Sequence, residues 1–437
     1  MKRRLLPILM TLVLVCALPI WAAFVTSGDV TNPLVCTAGA TSPPEPVEVR
    51  TADELQSKIT AGKSVKLMAD INITSTLKIS SSLTLDLNGH VLKMTGDGSV
   101  LYVKKDGPNT VTLTITDSRP QNPHTGSYAD LPAGGVITGG NAEDGGGVYV
   151  EAYATLEMTG GCITGCRAVD GGGVYIDNNA TLKMTGGCIT DCHASYGGGI
   201  YSYENLYMGG TAKIEKCTSN GGSYDAIWNR ERCNIYADGG TVDGTVSNLG
   251  TIMHSEGAAA ETVFNGTVYN RSAGKIEAGI YKGTVENTGS INGGTFYGTV
   301  TNQKNSLLPE VGTITDGTFA VTFDRGDGTK TEPKLVPWND KVPRPTSDPE
   351  KSGHTFIGWY LGDALYDFNT PITAPLTLTA RWEEVPSSGG NYYYHPTTDT
   401  KADDAKDSPK TADPGVALYA ALSLLSLTGL TCITKKR

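Results

Sequence analysis

Short runs with apolar residues at alternate positions dominate the middle of the chain, and glycine breaks them at regular intervals. Val148-Tyr149-Val150 and Leu156-Glu157-Met158 are two such runs. Alternation of this kind is the signature of strands with one face buried, so their outer members point inward and their central members outward. The runs repeat. Gly146-Gly147-Val148-Tyr149 returns as Gly172-Gly173-Val174-Tyr175 and as Gly198-Gly199-Ile200-Tyr201, a period of 26 residues. The stretch Ala154 to Thr164 returns as Ala180 to Thr190, and Leu206 and Met208 mark a degraded third copy. One unit cannot bury its apolar face alone, but stacked units can, at about 4.8 Å per coil. Upstream, Leu83-Thr84-Leu85-Asp86-Leu87 and Leu113-Thr114-Ile115-Thr116 have the same alternation in less regular coils. Before them, Thr51-Ala52-Asp53-Glu54 has the form of a capping box, with Leu55 and Ile59 on one helical face. A short helix there would cover the open end of the stack and blunt its sheet edges.

Downstream the coil shortens. Gly-Thr-Val-x-Asn recurs and ends at Asn248, Asn270, Asn287 and Asn302, with spacings of 22, 17 and 15. Those asparagines are expected to form a ladder at one turn, amide bonded to amide along the axis. Together the pattern resembles a right-handed parallel β-helix of the pectate-lyase-like kind found in bacterial surface proteins. The expected class is therefore all-β, a right-handed parallel β-helix with an N-terminal capping helix over residues 49–319.

The repeat pattern stops near Phe319. Val321-Thr322-Phe323-Asp324, Gly353-His354-Thr355-Phe356-Ile357-Gly358-Trp359-Tyr360 and Leu376 to Trp382 follow a different scheme. Residues 320–383 resemble the Listeria–Bacteroides repeat, or internalin B-repeat. His354 stands where that family usually has Tyr, and Arg325-Gly326-Asp327-Gly328 is a variant first turn. The resemblance implies a small β-grasp-like module, used as a spacer or interaction unit in surface proteins. Trp359 and Trp382 are expected in its core rather than on a ligand platform.

The two ends carry a different message. Met1-Lys2-Arg3-Arg4, an apolar run from Leu5 to Leu18 and Ala22-Ala23 have the three parts of a secretory signal peptide, assigned to residues 1–23. Residues 24–48 read as a linker, and 384–413 as a flexible wall-spanning stretch without apolar periodicity. Ser408-Pro409-Lys410-Thr411-Ala412 then precedes an apolar run from Val416 to Ile433 and a Lys435-Lys436-Arg437 tail. Eighteen helical residues rise about 27 Å, enough to cross a bilayer core, so residues 414–437 are expected to form a transmembrane helix with a positive tail. The order resembles a sortase sorting signal, with Pro409 and Thr411 in place and Ser408 and Ala412 departing from the commonest form. It implies that a sortase cysteine takes the Thr411 acyl group and passes it to a peptidoglycan amine of a Gram-positive wall. Sortase and peptidoglycan are thus expected partners. Contact with the membrane is confined to the span before sorting.

Composition narrows the function. The formal charge is −10, and loss of the cationic ends makes the processed chain more negative, which argues against nucleic acid and anionic lipid as partners. Three ladders in the repeats are candidates for chemistry. Tyr149, Tyr175 and Tyr201 should face outward one above another, to bind the faces of sugar rings, to stack on each other or to cover a loop. Asp144 and Asp170 precede Gly-Gly-Gly turns and would repel unless hydrated or bridged by Ca²⁺. Cys162 and Cys188 form one column, and Cys166 and Cys192 a second that Cys217 continues, as buried apolar residues, as disulfides or, at a poor spacing, as zinc ligands. Glu157 over Lys183 reads as a cross-coil ion pair. No cofactor motif and no nucleophile–base set is assignable. The expectation is a non-catalytic, wall-anchored adhesin or rod that binds an extracellular glycan or a neighbouring surface protein. The alternative is a polysaccharide lyase or glycoside hydrolase on the same fold. Three or more carboxylates converging with an Arg or Lys in a cleft would favour the enzyme.

Overall fold

The computed structural model describes residues 45–385, apart from 106, 221–224 and 304–311. The signal-peptide, sorting-signal and transmembrane assignments lie outside the described residues. Among those that are described, no helix is long and apolar enough to cross a membrane.

The alternating runs form three columns of parallel strands, one strand per column from each coil. One column is a separate ten-stranded sheet running from Leu77–Ile79 to Val300–Asn302. Its inward row is unbroken: Leu77, Leu101, Val148, Val174, Ile200, Ile227, Val246, Val268, Val285 and Val300 stand in register. A second row stacks Leu113, Leu156, Leu182 and Leu206. The 26-residue period is thus the coil itself: Val148 pairs with Val174, and Leu156 with Leu182. Where the coil shortens, the third column changes from aliphatic to aromatic. Phe264, Tyr281, Phe296 and Phe319 stack with centroids 5.0, 4.9 and 5.4 Å apart, all buried.

Glycine sets the turns for a steric reason. Gly145 and Gly171 sit at φ +60° and +66°, where a side chain is strained. A Cβ on the following Gly146 would lie 2.3 Å from the Arg167 carbonyl oxygen of the next coil.

The asparagine ladder forms as the spacing predicts. Asn248 Nδ2 donates to Asn270 Oδ1 at 2.8 Å, Asn270 to Asn287 at 2.7 Å and Asn287 to Asn302 at 2.8 Å. It begins one coil earlier than expected, with Asn229 Nδ2 donating to Asn248 Oδ1 at 2.8 Å.

The helix Ala52–Thr60 buries Leu55 and Ile59 against the first strands. Thr51 Oγ1 accepts from the Glu54 amide at 3.2 Å, which is half of a capping box. The other half is displaced by one residue, because Glu54 Oε2 accepts from the Arg50 amide at 2.7 Å rather than from Thr51. Val47–Val49 pairs with Val65–Leu67 ahead of that helix, so pairing begins inside the stretch read as linker.

Solenoid and following module share a strand. Thr313–Asp324 pairs with Ser290–Phe296 over its first half. Its second half pairs antiparallel with Lys334–Pro337 and parallel with Leu376–Glu384, which in turn pairs with His354–Leu361. Trp359 is buried in this mixed sheet, edge-on to Phe323 at 4.9 Å. Trp382 Nε1 donates to the Arg325 carbonyl at 2.8 Å, which ties the first turn to the last strand.

Candidate functional site

The outward row of the ten-stranded sheet is aromatic. Register places Tyr102, Tyr149, Tyr175, Tyr201 and Trp228 one above another. Tyr149 and Tyr175 rings lie 5.1 Å apart at 10°, and Tyr175 and Tyr201 rings 5.5 Å apart at 4°. Tyr102 and Trp228 close the stack edge-on, at 5.0 and 5.2 Å. The sequence marks only the middle three, because they alone follow a Gly-Gly turn. Leu101-Tyr102-Val103 and Ile227-Trp228-Asn229 keep only the weaker signal of an aromatic between two inward residues.

The expectation of three exposed rings needs correction. Tyr203, just past the strand that carries Tyr201, leans on Tyr175 and Tyr201 at 5.7 and 5.2 Å. Tyr175 is left 8 % exposed and Tyr201 5 %. The faces of the inner rings meet other rings, so no sugar can stack on them. Burial, with Asp144 and Asp177 nearby, pushes the Tyr175 hydroxyl well above its ordinary pKa. Both ends of the column keep partly exposed rings, Tyr102 and Tyr149 at the first and Trp228 at the other. At the first end Tyr102 Oη donates to Glu151 Oε1 at 2.6 Å.

At that end a cavity of about 540 Å³ opens. Lys78, Asp97, Tyr102, Glu143, Asp144 and Tyr149 line it, with Asn141 and Ser99. Asn141 Nδ2 donates to Asp97 Oδ1 at 3.3 Å, and Ser99 Oγ to the Asp144 carbonyl at 3.1 Å. Asp144 and Asp170 are bridge partners in adjacent coils, as the repeat predicts, with Tyr196 next in line. Burial first, then the charges of Asp170 and Glu143, raise the Asp144 carboxyl to about 6. Burial also raises Asp170, against the pull of Arg230. Among the described residues no three His, Cys, Asp or Glu side chains gather to hold a metal ion.

The two cysteine columns divide. Cys162 and Cys188 face outward beside the inward Ile163 and Ile189, with Cα atoms 4.5 Å apart, and form a disulfide between adjacent coils. Cys166, Cys192 and Cys217 form the second column, buried as free thiols. Cys192 and Cys217 donate to the carbonyls of Ile163 and Ile189 at 3.8 and 3.7 Å. His193 turns away from them, its Nδ1 2.9 Å from Thr218 Oγ1. Lys183 Nζ stands 3.5 Å from Glu157 Oε1, the cross-coil pair that the repeat predicts.

Residues 319–381 match the Listeria-Bacteroides repeat domain, which is typical of extracellular and surface proteins. No curated protein and no solved structure matches the chain.

Proposed function

We propose that this chain is a cell-wall-anchored surface protein that binds glycan through the cavity at Tyr102 and Tyr149. The observation that carries the binding reading is that cavity: two tyrosines at the first end of a rigid aromatic column, ringed by carboxylates, Asn141 and Ser99. Sugar sites need this combination, flat apolar surface beside a few fixed hydrogen-bonding groups. The solenoid supplies rigidity, since every wall residue sits on a coil fixed by its neighbours. A right-handed coil, the hand that parallel crossovers nearly always take, completes the β-helix reading. An array of neutral and acidic oligosaccharides should retain the full chain. Retention by none of them would overturn the reading.

Anchoring rests on the order of motifs in the sequence and agrees with the Listeria-Bacteroides repeat. In this reading sortase joins Thr411 to peptidoglycan. Thr411→Ala should move the protein from the wall fraction to the membrane fraction. Wall-linked T411A protein would refute the assignment.

A specific observation also supports cleavage. Asp97, Glu143, Asp144 and Lys78 all line the first cavity, and Asp144 is raised to about 6. Such a carboxyl suits a proton donor to the leaving oxygen of a glycosidic bond, with a second carboxylate activating water. In this reading products appear on the array, activity falls as pH rises through about 6, and Asp144→Asn abolishes it. Binding without product release refutes it and leaves the binding reading standing.

A further inference from the structure

Along the ten-stranded sheet the charge on one turn reverses. From the Val148–Val150 strand onward, the residue after the strand is Glu151, Asp177, Tyr203, Arg230, Leu249 and Arg271 in successive coils, with Lys104 in the same place one coil before Glu151. Glu151 and Asp177 lie beside the cavity at Tyr149, and the arginines begin in the coil that carries Trp228. Arg230 lies over the Tyr203 ring at 4.1 Å, and Arg271 over the Tyr269 ring at 4.7 Å. Arg230 and Arg232, with Tyr201, Tyr203 and Trp228, line a second cavity of about 560 Å³, with Glu231 as its one carboxylate. Among the described residues neither arginine forms a salt bridge. Two guanidinium groups therefore face a cavity in a protein whose charge is −10 overall.

We infer that this second cavity is a subsite for a single anionic sugar unit, bearing a carboxylate or a sulfate, on an otherwise neutral glycan. A guanidinium presents paired donors to a planar oxyanion, and stacking on Tyr203 fixes its orientation. The aromatic lining suits a sugar ring better than a peptide backbone. One anionic unit is the limit. The Tyr201 coil is only two coils from Tyr149, about 10 Å at about 4.8 Å per coil. A second negative sugar in that direction would meet Asp177, Asp144 and Glu143, so a continuous polyanion is repelled.

The inference rests on the glycan-binding reading, and one experiment separates the two. Neutral oligosaccharides are arrayed beside the same oligosaccharides capped with one glucuronic acid, one sialic acid or one sulfate. Polygalacturonate and an oligoglutamate peptide serve as polyanions. The full chain should favour the singly charged member of matched pairs by about tenfold, the worth of one charge-assisted hydrogen bond. The carboxylated and sulfated arms tell which anion the subsite takes. Arg230→Gln and Arg232→Gln should abolish that preference and leave neutral retention and the circular dichroism spectrum unchanged, while Arg230→Lys keeps part of it. Equal retention of neutral and charged members would overturn the subsite and leave glycan binding intact. Retention of charged members alone would support the subsite and overturn the neutral site at Tyr102. Stronger capture of either polyanion, a preference surviving in R230Q, or no retention of any glycan would also overturn the subsite.

Discussion

Asn270 is the position where the solenoid's internal wiring is best tested. Its side chain is fully buried and has four hydrogen-bond partners. The two Nδ2 hydrogens serve Asn287 Oδ1 at 2.7 Å and the Ser290 carbonyl at 3.0 Å, and the Gly274 carbonyl shares one of them at 3.3 Å. Oδ1 accepts from Asn248 Nδ2 at 2.8 Å. Asn270→Ala removes all four and leaves no water-accessible replacement. The neighbours keep partial compensation, since Asn248 Nδ2 also reaches the Lys275 carbonyl at 3.2 Å and Asn287 Oδ1 accepts from the Gly289 amide at 3.2 Å. At about 1 kcal/mol per net hydrogen bond, rising where a buried group is left unpaired, the loss is about 3–5 kcal/mol. Asn302 ends the ladder, is exposed, and accepts one bond from Asn287 at 2.8 Å, so Asn302→Ala should cost about 1 kcal/mol or less. Guanidinium denaturation followed by far-ultraviolet circular dichroism compares the two midpoints under one set of conditions. Equal shifts in N270A and N302A would refute the ladder as a source of stability.

Three further outcomes follow from the same geometry. Tyr175→Ala should destabilise the fold by about 3–5 kcal/mol, the range for truncating a buried aromatic, because the ring is sandwiched between Tyr149 and Tyr201; a melting shift worth under about 1 kcal/mol would return the column to the surface. Asp144→Asn should stabilise the protein at neutral pH. A carboxyl raised to about 6 in the fold from an ordinary 3.8 loses stability as pH climbs through that window, so the gain should vanish below about pH 4, and an equal gain at acid pH would contradict it. Cys166, Cys192 and Cys217 should resist alkylation in the native protein and react once it is unfolded in denaturant without reductant, while Cys162 and Cys188 stay protected until reduced; mass mapping of the labelled cysteines checks this.

How far the sequence reaches depends on which side of the wall a feature occupies. The inward rows are legible because every coil must place an apolar residue at the same step, as Val148, Val174 and Ile200 do. Asn248 to Asn287 are legible for the same reason, since one buried amide needs another above it. Asn229 escapes notice because Ile227-Trp228-Asn229 lacks the Gly-Thr lead of the later copies. The aromatic row from Phe264 to Phe319 is hidden by uneven spacing, where two strands of a coil merge into single strands such as Ser290–Phe296. Outward features depend on what lies across them. Tyr175 reads as exposed until Tyr203, carried by a turn that breaks the repeat, is seen to cover it. The disulfide follows from pleat direction: Ile163 points inward, so Cys162 and Cys188 meet outside, whereas Cys166 and Cys192 turn in. Neither cavity belongs to one coil. Each is assembled from residues of several coils, including Asp97, Asn141 and Tyr149 at the first and Tyr203, Arg230 and Leu249 at the second, and no local motif announces such a meeting.

The central claim is that the first end of the aromatic column holds a sugar. Hydrogen exchange of the full chain, with and without a saturating mixture of neutral oligosaccharides, reads that location directly. Slowed exchange confined to residues 97–102 and 141–151 is the predicted result. Protection confined to the repeat domain at 319–381, or none anywhere on the solenoid, would contradict the account.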